Sequence, residues 1–190
     1  RVIPFKNIYN KISTDYIEEK NPERTAVYLH SGGTSGEAKI VELSNLALNN
    51  LADRYPEILQ LETYEEKYVL SVLPMFHGFG LCECIHSMLY HGGVDALMPK
   101  FDPRKTAQLI KENKVNVIIA VPSLFSALVN CPEFAGDHLK NLKRCYVGGD
   151  YVSTSLKKRF NNLMKQYGSD ARLLEGYGLT EVVAVCTVNK

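Results

Sequence analysis

The stretch Tyr28-Leu-His-Ser-Gly-Gly-Thr-Ser-Gly-Glu-Ala-Lys-Ile-Val41 decides how this chain is read. The apolar run Ala26 to Leu29 predicts a buried strand. It empties into a loop of Ser31, Gly32, Gly33, Thr34, Ser35 and Gly36, with Lys39 just beyond. Glycines remove the Cβ atoms that keep backbone N–H groups away from a ligand. The hydroxyls add donors, and Lys39 adds a mobile positive charge. Successive N–H groups in such a turn form an anion-binding concavity, which is what a polyphosphate needs. A flexible Gly/Ser connector has a similar composition. This segment, however, is short, leaves a strand directly and ends in Lys39 followed by apolar Ile40 and Val41. It also fits neither common phosphate pattern. Glu37 follows Gly36 where the Walker loop requires Lys, and Thr34 takes the place of the second glycine in the dinucleotide fingerprint. The nucleophile elbow G-x-S-x-G is not matched either.

Bulk composition narrows the class. A chain of 190 residues is long enough for one domain with a real core. Its 45% hydrophobic and 23% charged residues are those of a globular protein. A net charge of +1, with no block of like charges, argues against nucleic acid as a partner. The five cysteines form no C-x-x-C pair, so neither a disulfide framework nor a zinc knuckle is indicated, and a reducing cytoplasm is the expected compartment. Cys82, Cys84 and His86 are read as buried thiols and a neighbouring ring rather than a metal cluster, because Cys84 leaves the face that Cys82 and His86 share on a helix. The longest charge-free run, Tyr68 to Cys82, contains Pro74 and two glycines, so no transmembrane helix is expected.

Working outward, residues 1–24 read as a lead-in segment and 25–190 as an α/β domain. Ser44 is the expected N-cap of a helix reaching Leu59. Strands are predicted at Val69–Leu73, Val94–Met98, Val115–Val121, Arg144–Val147, Arg172–Leu174 and Val182–Val188. Between them fall helices at Leu81–Tyr90, from Asp102-Pro103 to Asn113, from Ser123 to Asn130, and from Ser153 with Leu156, Phe160, Leu163, Met164 and Tyr167 on its apolar face. Continuous apolar strands alternating with amphipathic helices predict a mostly parallel sheet flanked by helices. Ligands bind at the carboxyl edge of such sheets. The loops 31–39, 74–80, 148–150 and 175–181 are therefore expected on one rim.

In the last of these loops Gly176 and Gly178 flank Tyr177, so its ring can lie flat on a planar ligand. Thr180 and Glu181 then supply a hydroxyl and a hard oxygen suited to Mg2+. Ser-Gly-Gly-Thr-Ser-Gly-Glu-Ala-Lys (31–39), Leu-Pro-Met-Phe-His-Gly (73–78), Gly-Gly-Asp (148–150) and Glu-Gly-Tyr-Gly-Leu-Thr-Glu (175–181) occur in the order found in the adenylate-forming, AMP-binding enzymes. From Pro22 onward the chain resembles the central part of the large domain of acyl-CoA synthetases. The departures are Ile40 where the family usually has Gly, Ala38 where it often has Pro, His30 in place of a small hydroxyl residue, and Asp150 in place of a small residue.

That resemblance implies roles. Ser31 to Gly36 and Lys39 would hold the β- and γ-phosphates of ATP. Tyr177 would stack on adenine, with Gly149, Asp150, Glu175, Gly176 and Gly178 around the base. Thr180 would contact the α-phosphate, Glu181 would bind Mg2+, and His77 would sit beside the carboxylate pocket with Phe76 and Phe79. The implied reaction activates a carboxylic acid to an acyl-adenylate and transfers the acyl group to coenzyme A. The apolar loop around Phe76, Phe79 and Leu81 points to a fatty or other apolar acid. Amino-acid adenylation for a carrier protein, with Asp150 or Glu83 facing the ammonium, and a non-catalytic nucleotide-binding module are the alternatives. By the same resemblance, a ribose-binding Asp and a smaller C-terminal domain with a catalytic Lys are expected beyond Lys190, so the segment alone is expected to be inactive or crippled.

Overall fold

The computed structural model describes residues 20–31, 39–60 and 67–189. Most of the lead-in segment and the centre of the glycine loop lie outside them. A six-stranded sheet runs in the order β4-β3-β5-β6-β7-β8. Its members are β3 (Tyr68–Ser71), β4 (Val94–Leu97), β5 (Val117–Ala120), β6 (Arg144–Val147), β7 (Leu173–Gly178) and β8 (Val185–Val188). The first five pair in parallel, and β8 closes the edge antiparallel to β7. The expected mostly parallel architecture is present.

Strand alternation sorts the core onto two faces. Leu70, Ile118, Ala120, Cys145, Val147 and Leu173 pack against α3 (Pro103–Lys111), α4 (Pro122–Val129) and α5 (Thr154–Gln166). Val69, Val117, Ile119 and Tyr146 face the other way, onto Tyr55 and Leu59 of α1 (Asn45–Leu59) and onto Met88 of α2 (Ser87–Tyr90). From β3 the chain goes first to β4 and then back across to β5, so the winding direction reverses beside β3. Such reversals open a crevice at the carboxyl edge. The loop containing His77 leaves β3 at that edge.

Local chemistry starts most helices as expected. Ser44 caps α1 by accepting from the Ala47 N–H at 3.2 Å. Asp102 accepts from Arg104 and Lys105 N–H ahead of Pro103, and Ser153 accepts from Leu156 N–H at the start of α5. Three expectations need correction. Ser123 lies inside α4; Val121 is the N-cap, with no side-chain bond, and Pro122 presets the first helical φ. Ala26–Leu29 does not join the main sheet. Thr25–Ser31 forms β1, which pairs antiparallel with β2 (Lys39–Ser44) in a separate two-stranded sheet. Only one of its faces is covered, so Leu29 and Ser31 are buried while Tyr28 is 63% exposed. Finally, residues 175–178 are strand rather than loop, because β8 pairs with them across a register shift at Tyr177/Gly178. Glycines in a strand often mark such a shift.

The segment after Gly78 also differs in kind. Phe79–His86 is a π-helix that passes into α2. The Cys82 carbonyl accepts both the Ser87 N–H and, at 2.7 Å, the Ser87 hydroxyl. Tyr55 donates its hydroxyl to the Glu83 carbonyl at 2.6 Å from the neighbouring helix. These side-chain partners stabilise the wider turn, and nothing in the sequence periodicity signals it. Among the described residues no helix is long and apolar enough to cross a membrane.

Phe160 is the aromatic centre of the larger core. It is fully buried, edge-on to Phe125 at 5.4 Å between ring centroids and tilted against Phe134 at 6.3 Å. Phe160→Ala should therefore cost about 3–5 kcal/mol of stability, read from the shift of a urea unfolding midpoint.

Candidate active site

A cavity of about 900 Å³ opens at the carboxyl edge of the sheet and is lined from all four predicted regions. Ser31 and Lys39 come from the facing ends of β1 and β2, where they pair across the two-stranded sheet. His77 and Phe79 come from the loop after β3, and Gly148 and Gly149 from the turn after β6. Gly176, Tyr177 and Gly178 end β7, followed by Thr180 and Glu181. Gly32, Gly33, Thr34, Ser35 and Gly36, central to the expected phosphate loop, lie outside the described residues. Their flanks are placed so that Ser31 is buried and Lys39 exposed at the cavity.

The adenine-side candidates separate into two groups. Tyr177, 60% exposed, lines the cavity between its two glycines. Gly149 has φ +78°, a left-handed backbone that an L side chain would strain. Asp150 and Glu175, by contrast, do not line the cavity. Asp150 is exposed and accepts from the Tyr151 N–H. Glu175 is held by Lys157 of α5 at 2.6 Å. Lys157 was invisible as a partner in the sequence, since 18 residues separate the two.

Thr180 is buried and Glu181 exposed in the short 3-10 turn Thr180–Val182 that follows β7. The chain then reverses through Val183, whose φ of 74° and ψ of −57°, with the Ala184 N–H donating to the Val182 carbonyl, make a strained γ-turn. A β-branched residue at positive φ is a true outlier, and such strain clusters at functional sites. Two glycines accept this turn. A Cβ on Gly178 would lie 1.5 Å from the Ala184 carbonyl oxygen, and one on Gly78 would lie 2.0 Å from that of Val183.

His77 is exposed at the mouth, and its Nδ1 accepts from the Phe79 N–H at 3.1 Å. In the neutral ring the proton therefore sits on Nε2, which is left as a donor. Phe79 lines the cavity, whereas Phe76 is 81% exposed and does not. Behind them the wall is apolar, made by Ile58, Leu59, Tyr146, Val185 and Val188. These residues come from elements that carried no motif, so sequence alone could not assign them to the site.

One charged residue interrupts that wall. Glu83 lines the cavity, is buried, and burial pushes its carboxyl up to about 8, with the Val185 backbone N–H pulling weakly the other way. Its neighbours Cys82 and Cys84 are buried free thiols, raised to about 11 and well above the ordinary value respectively, chiefly by burial. No group of three or more His, Cys, Asp or Glu able to hold a metal is formed among the described residues. Glu181 fits Mg2+ in another way, because that ion is commonly held by one or two carboxylates together with substrate phosphates and water.

A model of the AMP-binding enzyme family matches residues 5–190. The chain belongs to that family. It is 33% identical over 171 residues to a long-chain-fatty-acid–CoA ligase of Thermus thermophilus, covering 88% of this chain and 30% of the ligase. Against a long-chain-fatty-acid–CoA ligase of Bacillus subtilis it is 30% identical over 178 residues, covering 91% and 30%. ATP-bound MatB from Rhodopseudomonas palustris shares the fold with a TM-score of 0.84 at 20% identity, over 97% of this chain and 35% of that one. The chain thus spans about a third of the length of these relatives. In this chain the cavity lies where the four motifs meet.

The buried carboxyl gives this site a pH signature. Folded, Glu83 keeps its proton up to about pH 8, whereas unfolded it loses it near 4.5. Between those values the folded state binds more protons, so stability falls as pH rises. In urea titrations from pH 5 to 8, Glu83→Gln should flatten that decline and exceed the wild type at pH 8 by on the order of a few kcal/mol.

Proposed function

We propose that the protein carrying this chain activates a carboxylic acid with ATP and passes the acyl group to coenzyme A. The acid is fatty or otherwise largely apolar, and the setting is a reducing cytoplasm, in keeping with five cysteines that are all free. The observation that carries the proposal is the convergence of Lys39, His77, Tyr177, Thr180 and Glu181 on one cavity in a chain of the AMP-binding family. The CoA ligases among its relatives support the thiol acceptor, and the apolar wall behind Phe79 supports the substrate class.

In the first step a carboxylate oxygen attacks the α-phosphorus of ATP. An oxygen–phosphorus bond forms, and the bond to the bridging oxygen breaks as pyrophosphate leaves with its electron pair. Two anions must meet, so neutralisation of charge is the main task. Lys39 balances the charge of the leaving pyrophosphate, with Ser31 beside it across the two-stranded sheet. The Thr180 hydroxyl donates to the α-phosphate, and Tyr177 stacks on the base. His77 turns its Nε2–H toward the acid and holds the carboxylate for in-line attack. Magnesium bound through Glu181 would supply further positive charge to the phosphates. In the second step the thiolate of coenzyme A attacks the acyl carbon, and AMP leaves with the carbon–oxygen electron pair.

Carboxylate-dependent exchange of pyrophosphate into ATP by the full-length protein, across fatty, aromatic and amino acids, tests this reading. Exchange with fatty or aromatic acids is expected. Exchange with amino acids alone would move the assignment to carrier-protein loading, and ATP binding without any exchange would indicate a binding module. In the same assay Lys39→Ala should raise the barrier by about 2–4 kcal/mol, by analogy with loss of one charge-stabilising donor. An unchanged exchange rate in that variant would remove Lys39 from the mechanism.

A further inference from the structure

Glu83 is the only carboxyl among the described residues that is buried, and the charge-handling residues named for the reaction do not include it. It sits on the π-helix between two cysteines that pack in different directions. Cys82 joins Leu29, Val183 and Ala184, while Cys84 joins Ile119 and Tyr146. The residue between them is left at the seam, where it lines the cavity one turn beyond Phe79. Its main chain is fixed by the Tyr55 hydroxyl on its carbonyl. The side chain is therefore presented to the cavity from a rigid element, and single-turn π-helical geometry is frequent at functional sites.

The carboxyl has one protein donor, the Val185 N–H, and burial keeps it protonated at neutral pH. A protonated carboxyl also has an O–H to give. The carboxyl lines the cavity, so a bound ligand can supply the acceptor. The surrounding wall is Phe79, Tyr146, Ala184 and Val185. Among the described residues Lys39 is the only Lys or Arg lining the cavity, and it belongs to the flank of the glycine loop. Nothing on the Glu83 side would balance a second carboxylate, and an ammonium would have to ionise Glu83 against its burial.

We propose that Glu83 determines specificity within the acid pocket: its O–H donates to an uncharged oxygen, a hydroxyl or keto group, carried part-way along an otherwise apolar acid. This rests on the acid-activating reading above and narrows its substrate class.

The test uses the full-length protein and pairs of acids of equal length, one plain and one bearing a hydroxyl or keto group at successive positions. Pyrophosphate exchange reports kcat/KM, and calorimetry reports acid binding. The wild type should favour one substituted position by about tenfold, the value of one net hydrogen bond. Glu83→Gln, whose amide N–H still donates, should keep most of that preference. Glu83→Leu should reverse it in favour of the plain acid, with KM for ATP unchanged. Plain acids exchanged equally well by wild type and Glu83→Leu, with no dependence on substituent position, would overturn the role of Glu83 and leave acid activation standing. A preference for amino acids that disappears in Glu83→Gln would overturn it in favour of a cation. Absence of exchange with every acid would overturn both readings.

Discussion

The contact of the Val183–Ala184 turn with Gly178 and Gly78 is the constraint on which the site depends. Backbone meets backbone there with no room for a Cβ. Val183 and Ala184 also belong to the small core that holds Leu29 of β1, Leu43 of β2, Leu51 of α1 and Cys82 of the π-helix. One reversal of the chain thus joins the edge of the main sheet, the two-stranded sheet and the π-helix that carries Phe79 and Glu83. The strained φ of Val183 persists because all of these neighbours determine its position together. Moving any one of them would shift Lys39, Tyr177 and Phe79 relative to one another.

The main sheet supplies the second requirement, a common rim. Parallel strands all deliver their carboxyl ends to the same side, so loops far apart in sequence converge without contact between their own residues. This explains why the motifs after β3, β6 and β7 line one cavity although 104 positions separate His77 from Glu181, while Ser31 and Lys39 reach it from the two-stranded sheet. It also explains why the reversal of winding beside β3 matters. The His77 loop leaves the sheet at the opening, where a ligand can reach it.

Much of this arrangement was legible in the sequence, for physical reasons that differ between elements. Buried parallel strands must be apolar on both faces, so Val117–Ala120 and Arg144–Val147 stood out as short runs. Asp102-Pro103 and Ser153 announced helix starts because capping is local chemistry. The four motifs marked the rim because short runs of glycine, hydroxyl and charged residues beside apolar strands are not what core packing selects. What escaped was set by tertiary partners. The antiparallel mate of β1, the strand character of Gly176–Gly178 and the π-helical turn depend on β2, β8 and Tyr55 respectively; β2 and β8 are the next strands along the chain but their pairing is a tertiary contact, and Tyr55 lies 28 positions from Glu83. Asp150 and Glu175 were read by position within motifs, whereas their actual directions follow from Tyr151 and Lys157.

The same distinction separates the two halves of the cavity. On the side lined by the motifs, backbone meets backbone without room for a Cβ, so glycine is required position by position and the pattern can be recognised. On the acid side, the wall is assembled from Ile58, Leu59, Tyr146, Val185 and Val188, each of which also serves a hydrophobic core or strand. Ordinary packing would select the same residues there, and so they carry no separate mark. A buried Glu is different, because packing alone would never choose it. Desolvating a carboxyl inside an apolar wall costs stability at neutral and alkaline pH, and among the described residues no basic side chain compensates it. Glu83 lines the cavity, where a ligand can reach its carboxyl.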